Sequence, residues 1–242
     1  MSQPSAAPES RFLTTVQALV LFVGGLVAAG FGVSAWQGLA APLGVADGTT
    51  AFQLGRTVFQ FAGFVAPVLL FVAAAGDRSL LPVRIPDRRE AGVIAAGVVA
   101  LYALQYGLLA LLGAVGVEPV QNEAINPERY QPVYFLWMTL LSVLVVGPAE
   151  ELLFRGAVQG LLKRAWGARP AIVGASGLFG ALHFSVGAGP LSGVLAYVAI
   201  AFTLGMVLGV VYEWTGNIVV PTLAHGLFNA LAFGMQYFSV AG

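Results

Sequence analysis

Two adjacent carboxylates and a guanidinium stand inside an otherwise apolar run, Gly147-Pro148-Ala149-Glu150-Glu151-Leu152-Leu153-Phe154-Arg155. A charge at mid-depth in a membrane costs at least about 2.5 kcal/mol even on lenient insertion scales, so such a pair marks a functional site by default. Glu151 and Arg155 are four apart with the acid on the N-terminal side, which lets them pair along one helix face. Glu150, about 100° round the helix from Glu151, is left to face a polar cavity and do chemistry. The alternative is a charge cluster that only packs helices together.

The chain's two histidines, His183 and His225, also fall in apolar runs, and Asn229 follows His225 by four residues on the same face. Glu150 precedes Lys163 by 13 residues, His183 follows Arg169 by 14, and His225 follows Trp214 by 11. At about 1.5 Å per residue, all three lie roughly 16 to 21 Å from one charged face, at a common depth. A carboxylate, two imidazoles and an amide around one cavity suit hydrolysis of an acyl compound by activated water. Glu150 would take the proton near neutral pH, and His183 would orient the water or share the base role. His225 and Asn229 would donate to the oxyanion, where one donor is typically worth about 100- to 1,000-fold. The same groups suit a Zn²⁺ held by Glu150, His183 and His225 with a fourth position open to water. Asn229 also fits a plain interhelical hydrogen bond. There is no nucleophile-elbow serine and no His-Glu-x-x-His pair.

The elements that must hold these groups are transmembrane helices. Of 242 residues 58% are hydrophobic and 9% charged, against about 25% charged in soluble domains, so the fold expected is an all-α polytopic bundle. Eleven basic residues balance eleven acidic ones, which leaves no basic surface for nucleic acid. The absence of cysteine excludes disulfides, thiolate nucleophiles and iron–sulfur clusters. Arginine makes up all the basic residues but Lys163, which points to a GC-rich prokaryotic genome.

Residues 1–12 read as a disordered tail, 13–130 as N-terminal spans and 131–242 as the catalytic core. About seven spans are expected (six to eight by count): 13–36, 52–75 with Arg56 near its outer end and Pro67 as a kink, 91–117, 132–162, 171–186, 191–212 and 218–238. The first is too long for a signal-peptide core. The fourth exceeds the roughly 20 residues a bilayer needs, and is expected to tilt or to break near Gly147-Pro148. Arg78, Arg84, Arg88 and Arg89 put the second connection in the cytoplasm by the positive-inside rule, and the acidic 118–131 loop outside. The N-terminus is then cytoplasmic, in what reads as a prokaryotic cell membrane.

Glu150-Glu151-Leu152-Leu153-Phe154-Arg155, Phe179-Gly180-Ala181-Leu182-His183 and His225-Gly226-Leu227-Phe228-Asn229 together resemble the motifs of the CPBP family, the CAAX-protease and bacteriocin-processing intramembrane endopeptidases also called Abi. The resemblance runs from about Val133 to Phe238. It implies a bundle whose site lies in a cavity open toward the cytoplasm and the membrane, with Glu150 as the catalytic glutamate and His183 as its partner on water. It further implies that His225 and Asn229 form the oxyanion site and that Glu151, Arg155 and Phe179 support them. The family has been described both as zinc metalloproteases and as glutamate-dependent enzymes needing no metal, and the second fits Asn229 better. The substrate class implied is a membrane-anchored or lipidated peptide or protein, met among membrane lipid. Two other uses of such a bundle are a non-catalytic scaffold or bacteriocin self-immunity protein, and a proton-coupled transporter, the latter weakened by the lack of an inverted repeat.

Overall fold

The computed structural model describes residues 8–185 and 189–241. Among them the chain forms seven principal helices: α1 Pro8–Ala40, α2 Thr50–Ala75, α3 Arg88–Ala114, α4 Pro132–Trp166, α5 Ala168–Leu182, α6 Leu191–Thr215 and α7 Val219–Ala241. Five of them, α1 to α4 and α6, are long and apolar enough to cross a membrane. The fifteen residues of α5 reach only about 22 Å, short of a hydrocarbon core of about 30 Å. α7 is 23 residues long but is diluted by His225, Asn229 and Gln236, three polar residues in one helix. The outer surface fits a lipid environment, with Phe31 72%, Leu70 70% and Leu144 71% exposed. The protein is an integral membrane protein.

Several boundaries differ from those expected. Residues 8–12, assigned to the tail, are already helical, while 1–7 lie outside the described residues. The Gly187-Ala188-Gly189-Pro190 loop falls partly outside them too. Pro67 lies within an uninterrupted α2. The fourth span does not break at Gly147-Pro148: the helix continues to Trp166 through two wide π segments, Ser142–Val146 and Leu152–Gln159.

α4 is the centre of the bundle. From Leu153 to Gln159 every residue is buried, enclosed by Ala18 and Leu21 of α1, Phe64 and Val68 of α2, and Ala175 and Phe179 of α5. The N-terminal helices therefore share a core with the segment that bears the acidic pair.

At the Arg-rich end the connection between α2 and α3 is folded back and pinned. Arg84 spans both carboxylate oxygens of Glu90 (2.6 and 3.2 Å) and donates to the Thr215 carbonyl (2.8 Å). The buried Asn217 amide donates to the Arg84 carbonyl (3.1 Å) and to Glu90 (3.3 Å). Glu90 also closes the capping box of α3 with Asp87, so one carboxylate fixes the start of α3 and the turn into α7. Arg164 pairs with Asp77 and holds its carboxyl down to about 2. That clasp between α4 and the end of α2 thus keeps its charge at any physiological pH. At the opposite end the 115–131 connection lies over α6, with the Val120 N–H donating to the Gly193 carbonyl (3.2 Å).

Candidate active site

Pro148 has no N–H to give to the carbonyl four residues back, and the ladder answers by widening. The Gly147 N–H bonds instead to the Ser142 carbonyl, five residues earlier. The Glu150-Glu151 pair sits in the short α-helical stretch Gly147–Glu151 between the two π segments. Opposite it, α7 crosses at glycine on glycine. A Cβ on Gly147 would stand 3.0 Å from the Gly226 Cα and from the Thr222 carbonyl, and one on Gly226 would stand 3.0 Å from the Ser142 carbonyl and the Val143 Cα. This close approach, the usual use of small residues between membrane helices, sets His225 against the acidic pair.

Glu151 is fully buried and accepts from two sides, from Arg155 Nε at 3.0 Å and from His225 Nδ1 at 2.9 Å. The pairing expected from the four-residue spacing is thus present, and a third member, His225, joins it. The other ring nitrogen, Nε2, lies 3.5 Å from Glu150 Oε2, so the imidazole stands between the two carboxylates. Arg155, also fully buried, rests its guanidinium on the Phe179 ring, 5.4 Å to the centroid. That ring meets Phe154 edge-on (5.1 Å) and contacts both His225 (5.8 Å) and His183 (4.7 Å). Phe179 is therefore the spacer between the charged triad and the second histidine.

His183 lies just past α5, in the 3-10 turn His183–Ser185, and not inside a span reaching 186. Its Nδ1 sits 2.8 Å from the Phe179 carbonyl, a local bond that competes with the helical ladder. A carbonyl only accepts, so Nδ1 carries the proton and Nε2 of the neutral ring is left as an acceptor.

Glu150, His183, His225 and Asn229 all line one cavity of about 840 Å³. The Asn229 side chain has no hydrogen-bond partner among the described residues. As donors to a metal, Glu150, His183 and His225 do not converge: among the described residues no three His, Asp or Glu side chains form a group that could hold an ion. The cavity also runs toward the acidic connection, lined by residues from Pro119 to Tyr130, and takes no residue from the Arg-rich connection. The cavity thus approaches the acidic end of the bundle, opposite the Arg-rich end.

Sequence reasoning missed part of the lining. The Tyr197 hydroxyl accepts from Asn122 Nδ2 (3.1 Å), which leaves its own hydrogen for the cavity, and its ring lies 6.0 Å from His183. Asn122 comes from the acidic connection, and neither residue sits in a motif. Arg56 lines the same cavity; its position inside an apolar span was the signal that could have found it.

Residues 132–231 match the family described as Type II CAAX prenyl endopeptidase Rce1-like, which supports the CAAX-protease resemblance of the three motifs. A Bacillus subtilis (strain 168) protein, YpbD, described as uncharacterized, is 34% identical over 110 residues, 46% of this chain. The chain matches about half of that relative's length, 49%. No solved structure matches the chain.

Proposed function

We propose that the protein is an intramembrane endopeptidase that hydrolyses a peptide bond of a membrane-anchored or lipidated substrate. The observation that carries this reading is His225 held between Glu151 (2.9 Å) and Glu150 (3.5 Å) at the wall of a cavity that His183 and Asn229 also line. Glu150 takes a proton from water, which His183 Nε2 orients by accepting its second hydrogen. The oxygen then adds to the scissile carbonyl. The resulting oxyanion receives hydrogen bonds from the Asn229 amide and from His225 Nε2–H, the ring being an imidazolium between two carboxylates. On collapse the C–N bond breaks, and the proton held by Glu150 passes to the leaving amine. Glu151, Arg155 and Phe179 position these groups without touching substrate. In this reading the side chains themselves carry the proton transfers and the oxyanion contacts.

The charge bias places the Arg-rich end, and with it the N-terminus, in the cytoplasm of a prokaryotic cell. The cavity then faces the exterior, and substrate enters from that side.

The test is cleavage of a library of membrane-anchored and prenylated peptides by purified wild type and Glu150→Gln, with products read by mass spectrometry. A general base is worth about 100- to 10,000-fold, so Glu150→Gln should lose at least the lower figure while eluting as a folded monodisperse protein. Turnover retained by that variant would sink the mechanism. So would stoichiometric zinc in the active protein, with activity lost on chelation and restored on refilling.

A further inference from the structure

One face of α2 lines the cavity in a regular stripe: Gln53, Arg56, Thr57, Gln60, Phe61 and Phe64. The spacing of three, one, three, one, three is one side of a helix, and its chemistry changes along its length. Two turns are polar and the next is aromatic. Arg56 stands seven residues past the Thr49 N-cap, about 10 Å into a membrane-crossing helix. Among the described residues it has neither an ion-pair nor a hydrogen-bond partner. The other arginine of the cavity wall, Arg129, is already paired with Glu123 at 2.9 Å. An unpaired guanidinium at that depth, facing a cavity, calls for an anion.

We propose that this stripe is a subsite for a carboxylate-bearing peptide segment of the substrate, with Arg56 pairing the carboxylate; the inference rests on the endopeptidase reading. Gln53, Thr57 and Gln60 supply donors and acceptors that suit peptide amide groups. A single guanidinium fork matches a carboxylate, whereas a phosphate would draw further cations and the cavity's other arginine, Arg129, is already held by Glu123.

The register follows from the packing. Phe64 and Leu153 meet the same point on α1, at Gly25, so they stand at one level. Arg56 is eight residues above Phe64, and Glu150 three above Leu153. The difference is about 7 to 8 Å along the bundle, or about two to three extended residues. The carboxylate therefore falls two to three residues from the scissile bond. It comes either from the chain terminus or from an Asp or Glu side chain.

The experiment uses the full chain with Glu150→Gln, in phosphatidylcholine nanodiscs, and three fluorescent N-palmitoylated apolar heptapeptides. One ends in a free carboxylate, one in an amide, and one in an amide with a glutamate as its last residue. The expected result is that the first or the third binds about tenfold tighter than the second, which names the source. Arg56→Gln in the same background should erase the preference without altering Kd for the amide peptide, and Arg56→Lys should keep part of it. Equal Kd values, no binding of any peptide, or a preference that survives Arg56→Gln would overturn the subsite. Turnover by the Glu150-intact chain is read separately. A binding preference without any cleavage would overturn the endopeptidase reading and leave the subsite standing.

Discussion

The Glu151–Arg155 pair can be dissected by a double-mutant cycle whose sign the structure fixes. Both side chains are fully buried and 3.0 Å apart, so with an effective dielectric of about 20 their attraction is about 5 kcal/mol. Removing one partner from such a pair leaves an uncompensated buried charge and costs about 3–5 kcal/mol. Arg155→Met leaves Glu151 with His225 alone, and Glu151→Gln leaves the guanidinium with only the Phe179 face. Glu151→Gln/Arg155→Met removes both charges while the glutamine oxygen still accepts from His225 Nδ1. The double variant should therefore lie within about 1–2 kcal/mol of wild type, a coupling well above the about 0.5 kcal/mol scatter of independent sites. Reversible unfolding in mixed dodecylmaltoside–SDS micelles, followed by the fluorescence of the four tryptophans, measures all four corners. Losses that simply add would refute the claim that Arg155 is there to balance Glu151.

Two further expectations concern the helix crossing and the membrane orientation. Gly226→Val places a branched side chain where even a Cβ would stand 3.0 Å from the Ser142 carbonyl; the strain should cost about 1–3 kcal/mol. A displacement of about 1 Å between His225 and Glu150 should lower kcat about 100-fold, with Gly226→Ala milder, and unchanged kcat would show that the contact does not set the site. The chain has no cysteine, so Glu128→Cys and Arg88→Cys, both at exposed positions, give clean labelling sites. An impermeant maleimide on intact cells should reach Glu128→Cys and miss Arg88→Cys, and the reverse pattern would overturn the charge-bias orientation.

The parts of the site that sequence revealed were those where a charge or imidazole stands in an apolar run, because only function or tight pairing offsets that cost. Glu151 with Arg155 follows from helical spacing, and the residue counts that put Glu150, His183 and His225 at one expected depth agree with their lining one cavity. What the counts missed depends on backbone detail. Pro148 signals a lost hydrogen bond, but whether the helix breaks or widens is decided by what packs around it, here the buried stretch Leu153 to Gln159. His183 looked helical because its neighbours are apolar, yet its own ring bonds back to Phe179 and sits beyond the last turn of α5. His225 was read as an oxyanion donor, while its bond to Glu151 needed two helices to cross at Gly147 and Gly226. Tyr197 and Asn122 meet only through the folding of the acidic connection over α6, a contact between residues 75 positions apart that no local pattern encodes.

The two wide turns of α4 act as phase shifters. Each holds more residues per turn than the ordinary helix, so residues before Ser142, between Gly147 and Glu151, and after Gln159 point along three different angular settings of one rod. Deleting a single residue from Leu152–Gln159, with the packing around that buried stretch keeping the remaining turns wide, would swing everything on one side of it by about a quarter turn. The acidic pair would then be aligned either with the cavity or with the clasp residue Arg164, but not with both. A chain of this kind tolerates a substitution in these turns more readily than a change of length.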